Sequence, residues 1–191
     1  MEGDLMFTNI RTAHINDAPA IARIHIAGWH TTYKNIIPND YLAALSYEGY
    51  LTKWETILTD EQTGRIQQTW VAENAEQGVI GFISGGVNRD KVYSYEAELY
   101  AIYLRQDIQQ KGLGSQLVLI LVQWLIEQHY KTMMVWALEK NSAGKFYEVL
   151  GGKLLPHREI VTFAGKELIE VAYTWDSLPH LLNLLQRRQL K

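Results

Sequence analysis

Residues 97–115 read AELYAIYLRQDIQQKGLGS, an apolar, β-rich segment that runs directly into a glycine turn and then into an amphipathic stretch. Its first eight residues suit a strand, and Gly112 and Gly114 stand where the backbone must turn and approach a ligand closely. A helix opening at such a turn directs unpaired main-chain N–H groups and a partial positive charge at an anion. A pyrophosphate fits there, and the strand places an acid, Glu98, nearby.

Two nucleotide motifs fail on these letters. A dinucleotide fingerprint needs a third glycine three residues after Gly114, where Leu117 stands, and a phosphate-binding Walker loop needs Gly-Lys-Ser/Thr, which is absent. The stretch Gln109-Gln110-Lys111-Gly112-Leu113-Gly114 instead resembles the acetyl-CoA turn, Q/R-x-x-G-x-G/A, of the GNAT superfamily of acyl-CoA N-acyltransferases. The fourth strand of that family often carries a Glu eleven residues before the first Gln/Arg, and Glu98 precedes Gln109 by that interval.

The whole chain sets the bounds. Its 191 residues suit one domain burying roughly 70% of its unfolded surface. A hydrophobic fraction of 47% and a charged fraction of 20% exclude the disordered class. The net charge of −3 argues against nucleic acid, and Arg187, Arg188 and Lys191 read as a solvated basic helix end. With no cysteine there is no disulfide framework, thiolate zinc site or cysteine acyl-enzyme. Neither a membrane span nor a signal peptide is expected, so the default location is the cytoplasm.

Periodicity predicts the order of elements. Thr8 to Ala13 reads as a strand, followed by a helix capped at Asn16 or Asp17 and running to about Tyr33, with Ile21, Ile24, His25 and Gly28 on one face. Two short helical stretches follow, then a hairpin of two strands around Thr69 to Glu73 and in GVIGFISGGVN. The strand Ala97 to Leu104 leads to a helix over about Gly112 to Tyr130, with Leu113, Leu117, Ile120, Leu121 and Trp124 as its stripe. A strand in TMMVWAL, a helix in NSAGKFYEVLGG, two strands joined around AGKE and a leucine-rich last helix complete the chain. This order is similar to the GNAT plan over about residues 9 to 175. The resemblance implies an α/β fold: a mixed, mostly antiparallel twisted sheet flanked by helices, forming one N-acetyltransferase domain over 1–191 with the last helix at about 177–190.

Acetyl transfer to an amine sets chemical demands. An ammonium near pKa ~10 and a carboxylic acid near ~4 leave a gap of about 6 pH units, roughly 8 kcal/mol, which desolvation and ordered water must shrink. The residues alone leave Glu98 open between a strand-edge carboxylate, a salt-bridge partner and a base. The resemblance makes it the general base, acting directly or through water, with Glu96 as the fallback. A thiolate leaves more easily when a donor of similar acidity protonates it. NSAGKFYEVLGG looks like the family helix N-P-A-R-R-F-Y-E-x-L-G-G, which implies Tyr147 as general acid and Asn141 as a cofactor partner. Here Ala143 and Gly144 depart from that pattern, leaving Lys145 as the only cation of the segment.

The resemblance also implies that the fourth strand parts from the fifth, so that pantetheine pairs with the main chain of Ile102, Tyr103 and Leu104. Gln109, Gln110, Lys111, Gly112, Leu113, Gly114 and Ser115 would hold the pyrophosphate. Trp29, Tyr33, Tyr41, Tyr93, Tyr95 and Tyr100 are candidates for an aromatic acceptor pocket, although Trp29 and Tyr33 equally suit helix packing. Histidine spacing gives no zinc motif, and His25 and His30 read as packing and surface residues. The expected activity moves an acetyl group from acetyl-CoA directly to a primary amine of a small molecule or peptide. The rival is an idle acyl-CoA-binding sensor or interaction module, and the last helix makes a homodimer plausible.

Overall fold

The computed structural model describes residues 8–62, 66–90 and 92–189, so the predicted basic residue Lys191 lies outside the described residues. Seven strands form one sheet in the order β1-β2-β3-β4-β5-β7-β6. The strands are β1 (Thr8–Thr12), β2 (Gln67–Asn74), β3 (Gly78–Val87), β4 (Ala97–Leu104), β5 (Met133–Leu138), β6 (Lys153–Phe163) and β7 (Lys166–Trp175). Every neighbouring pair is antiparallel except β4 with β5. The mixed, mostly antiparallel sheet flanked by helices is the architecture expected from the sequence.

Helices cover both faces of the sheet. On one side lie α1 (Ala18–Thr32), α2 (Asn39–Ala43) and α3 (Tyr47–Gln62); on the other lie α4 (Leu113–Glu127), α5 (Ala143–Val149) and α6 (Leu178–Gln189). The predicted α1 face is buried as read, with Ile21, Ile24, His25 and Gly28 all inside. Asp17 precedes α1 but does not cap it. Its carboxylate turns back to the His14 N–H at 2.9 Å and to the Arg11 guanidinium at 2.7 Å.

The stripe predicted for α4 is too narrow. Leu113, Leu117 and Leu121 are buried, but so are Val118, Leu119, Val122 and Leu125, whereas Ile120 and Trp124 are only partly covered. The helix is wedged between the sheet and α6, so two of its sides face apolar neighbours. The leucines of α6 that suggested a partner surface pack inward: Leu178, Leu181 and Leu185 join the same core. Among the described residues no helix is long and apolar enough to cross a membrane.

Candidate active site

The two central parallel strands meet only at their beginnings. β4 pairs with β5 at Ala97↔Met133 and Glu98↔Met134, and among the described residues nothing on the β5 side continues the ladder from Leu99 to Leu104. Meanwhile β3 holds the other edge of β4 down to Gly81↔Leu104, and β7 pairs with β5 along its whole length. The sheet therefore splits into a V whose walls are main chain. Unpaired strand edges of this kind accept an amide-bearing chain as an added strand.

A bulge orients the side chains around the split. Gly85 pairs with Leu99 and Ser84 with Ala101, so Tyr100 is an extra residue that reverses the alternation of β4. Ala97, Leu99, Ile102 and Leu104 consequently face the α4 core, while Ala101 and Tyr103 face the α1 core. Glu98, between Ala97 and Leu99, shares the α1 side with Tyr103. The split thus has an apolar wall toward α4 and the acid on the opposite side.

The glycine turn sits at the mouth of the split. Gly112 has φ +87° and precedes α4, and Gln110 also adopts a positive φ of +63°. Gln109 donates its side-chain amide to the Leu104 carbonyl at 3.2 Å, tying the turn to the end of β4. The main-chain N–H groups of Gln109 and Ser115 bond within the turn, to Gln106 and Gly112. Among the described residues, those of Gln110, Lys111, Gly112, Leu113 and Gly114 have no main-chain acceptor. Five donors at a helix start make an anion cradle. A side chain at Gly114 would touch the Phe146 ring at 3.4 Å, and Lys111 is exposed at the rim.

Glu98 is buried, with 4% of its surface exposed, and it is not alone. Arg89, in the loop between β3 and β4, donates from its main-chain N–H at 3.1 Å and from Nε at 3.0 Å to Oε2, and from Nη2 to Oε1. The same guanidinium lies 4.0 Å from the centre of the Tyr100 ring. Tyr100 donates its hydroxyl to the Val87 carbonyl. Glu96 precedes β4, and its exposed carboxylate accepts the Lys131 N–H.

Tyr147 comes to the split from below, on α5. It is buried against Phe146, Tyr173 and Trp175. Burial, with smaller contributions from Tyr33 and Tyr173, pushes its phenol well above the usual range. The group therefore stays protonated at neutral pH, although its acidity matches an alkyl thiol less closely than a free tyrosine would. Asn141 accepts the Ala143 N–H at 2.9 Å and so starts α5.

The α1 side of the split is aromatic and acidic. Trp29 contacts Tyr33, Tyr41 and Phe163 at ring separations of 4.8, 6.2 and 6.1 Å, and its buried Nε1 lacks a hydrogen-bond partner among the described residues. Tyr93 packs on Trp136 of β5, whereas Tyr95 reaches away to Asp176. Sequence reasoning missed Arg89, Trp136, Phe163 and Glu170. Burial, then the neighbouring Glu159 and Glu98, hold the Glu170 carboxyl above the usual range. His25 is the packing residue expected: Trp54 Nε1 donates to its Nδ1 at 3.1 Å, and burial pushes its pKa down to about 3.

Comparison with known proteins agrees with this geometry. A solved structure of the paiA N-acetyltransferase from Thermoplasma acidophilum, in complex with coenzyme A, superposes with a TM-score of 0.67 at 21% identity, covering 89% of this chain and 100% of that one. That of yncA from Salmonella typhimurium, with its cofactor acetyl-CoA, gives 0.64 at 21% identity over 88% and 93%. The N-acetyltransferase YuaI of Bacillus subtilis, itself uncharacterized, is 33% identical over 178 residues, or 93% of this chain and 98% of the relative. Residues 30–151, which include the split, the turn and the helix of Tyr147, match the acetyltransferase (GNAT) family, and the chain belongs to that family.

Proposed function

We propose that the protein moves the acetyl group of acetyl-CoA directly to a primary amine of a small molecule or peptide. The observation that carries this reading is the coincidence, at one split between strands, of free main chain on β4, a cradle of N–H donors, a buried carboxylate and a buried phenol. Pantetheine would lie along Ile102, Tyr103 and Leu104, with the pyrophosphate on Gln110 to Gly114. Asn141, on the β5 side, flanks the same arm. The two solved relatives that hold coenzyme A or acetyl-CoA support the choice of donor.

Glu98 takes the proton of the ammonium, directly or through water. The neutral amine attacks the thioester carbonyl, the C–S bond breaks as the tetrahedral intermediate collapses, and Tyr147 protonates the departing sulfur. The acceptor lies toward Trp29, Tyr33 and Tyr100, where aromatic faces and the acids Glu98 and Glu170 suit a cation. One observation favours the rival reading of an idle acyl-CoA sensor: Arg89 already occupies both oxygens of Glu98.

Two measurements test the proposal. Calorimetry should show acetyl-CoA binding that weakens at least tenfold when Gly112 and Gly114 are both replaced by valine; no binding by the unaltered protein would sink both readings. Product analysis on a panel of polyamines, amino acids, aminoglycosides and peptides should then yield an acetylated amine. A blank panel with intact binding would decide for the sensor.

A further inference from the structure

The ion pair at the split is lopsided. The Arg89 side chain is 62% exposed and that of Glu98 only 5%, so the carboxylate is the inner end of the pair and the guanidinium is the end that solvent meets. The loop that carries Arg89 is tied at its base, where Asn88 donates its main-chain N–H to the Glu96 carbonyl and its side-chain amide to the Tyr95 carbonyl, both at 2.9 Å. Nε and Nη2 of Arg89 are taken up by Glu98, but Nη1 has no acceptor among the described residues. The neighbouring Asp90 does not supply one, because its carboxylate turns to the Val92 N–H at 2.7 Å.

This arrangement restricts what can reach Glu98. An ammonium on its own would meet the guanidinium first and would bring a second cation to one carboxylate. Arg89 can yield Glu98 only if another cation replaces it and an anion receives it, because a buried charge left unpaired costs far more than a surface pair returns. An acceptor with an ammonium and a carboxylate a few bonds apart meets both demands, and every charge stays paired through the exchange. The main-chain N–H of Arg89 remains on Oε2 at 3.1 Å, which keeps the carboxylate aimed while the side chain turns. The Tyr100 ring, 4.0 Å from the guanidinium, keeps the cation at hand.

We propose that Arg89 selects the acceptor and that the acceptor is a free amino acid: its carboxylate takes the guanidinium from Glu98 while its ammonium takes the place of the guanidinium. This rests on the reading of the protein as an acetyltransferase with Glu98 as base. The exchange makes and breaks no covalent bond, and the proton then passes from the ammonium to Glu98. A planar guanidinium suits the new partner, since it grips a carboxylate through two parallel N–H bonds. A buried carboxylate relieved of a guanidinium also takes up a proton more readily, so binding the right acceptor readies the base. The contact that would idle a sensor becomes a latch that a zwitterion opens.

The test gives each acceptor its own control: the common amino acids are supplied with acetyl-CoA as free acids, as primary amides and as decarboxylated amines, and the acetylated product is measured by mass. Free acids should exceed their amides in kcat/KM by about tenfold or more, roughly the worth of one charge-assisted hydrogen bond. In Arg89→Gln that ratio should collapse to about one through a raised KM for the acid, with the amide turned over no more slowly than by the unaltered protein. A merely structural role for Arg89 would slow acids and amides alike and leave the ratio standing. If Arg89→Gln folds poorly in a thermal melt, the unaltered protein still decides: the carboxylate that lacks the amine should inhibit competitively against the best acid, and its primary amide should not. Amides or simple amines acetylated as well as the acids would overturn selection by Arg89 and leave the acetyltransferase reading in place. A protein that binds acetyl-CoA and acetylates nothing would sink that reading, and the role of Arg89 with it.

Discussion

Gly28→Ala sets two opposed effects against each other inside α1. The added Cβ would stand 2.2 Å from Tyr103 Cδ1, 2.9 Å from Cε1 and 3.2 Å from Cγ. Carbon atoms rest at about 3.5 Å or more, so the ring must retreat by roughly 1.3 Å. It has little room, because the tilted rings of His25 and Phe82 already lie 4.6 and 5.8 Å from it. Overpacking of this kind costs about 1–3 kcal/mol, whereas replacing a mid-helix glycine by alanine gains about 1 kcal/mol. The net effect is a loss of about 0–2 kcal/mol, too small to interpret without a control. Gly49→Ala in α3 supplies it, since a Cβ there would meet Ser46 Oγ at an ordinary 3.6 Å. Urea denaturation of both variants should separate them by about 1–3 kcal/mol. Equal stability of the two variants would refute the packing argument and show that the Tyr103 ring is free to move.

Glu98→Gln keeps the shape and one acceptor oxygen for Arg89 but removes the base, so turnover of the panel amine should fall by about 10²–10⁴ and the acid limb of the pH–rate profile should vanish, with acetyl-CoA affinity intact. An unchanged profile would move the base elsewhere, to Glu170 first. Asp17 is an independent test of the fold: burial works to raise its carboxyl, but bonds from Arg11 and the His14 N–H outweigh this and hold it below its ordinary 3.8. A carboxyl lowered in the folded state adds stability above its unfolded pKa and loses it as pH falls through the folded value, so Asp17→Asn should cost about 2 kcal/mol at neutral pH and progressively less below about pH 4, in denaturation curves taken from pH 6 to 3.

Strand and helix order was legible because each element carries its own period. Ala97 to Leu104 coincides with β4, and the glycine turn opens α4 within a residue of its expected start. What composition could not supply was the side of the sheet that each residue of β4 faces. By simple alternation Glu98 falls with Ile102 and Leu104, on the α4 side, and it is the bulge at Tyr100 that sends it to the other. The only local sign is the glycine pair opposite. A Cβ at Gly85 would lie 2.9 Å from the Glu98 carbonyl and from Leu121, and one at Gly86 2.3 Å from the Ile66 carbonyl. Arg89 was invisible for a similar reason: an arginine in a polar loop has no period, and its link to Glu98 exists only once the loop has folded back over the strand.

The bulge and the split serve a single geometric end. A base that faced α4 would share its side with the apolar wall of Ile102 and Leu104, where no cation could be desolvated at acceptable cost. Reversing β4 after Leu99 places Glu98 beside Arg89, whose guanidinium lies over the Tyr100 ring, and leaves the edge of the strand toward β5 free for the proposed donor. In the proposed reaction the acceptor amine can then reach the thioester carbonyl from the side opposite the apolar wall. Tyr147 stands in the α4 core and Tyr33 on the other side, beside Trp29, so the proposed acid and the proposed acceptor pocket lie on opposite sides of the sheet.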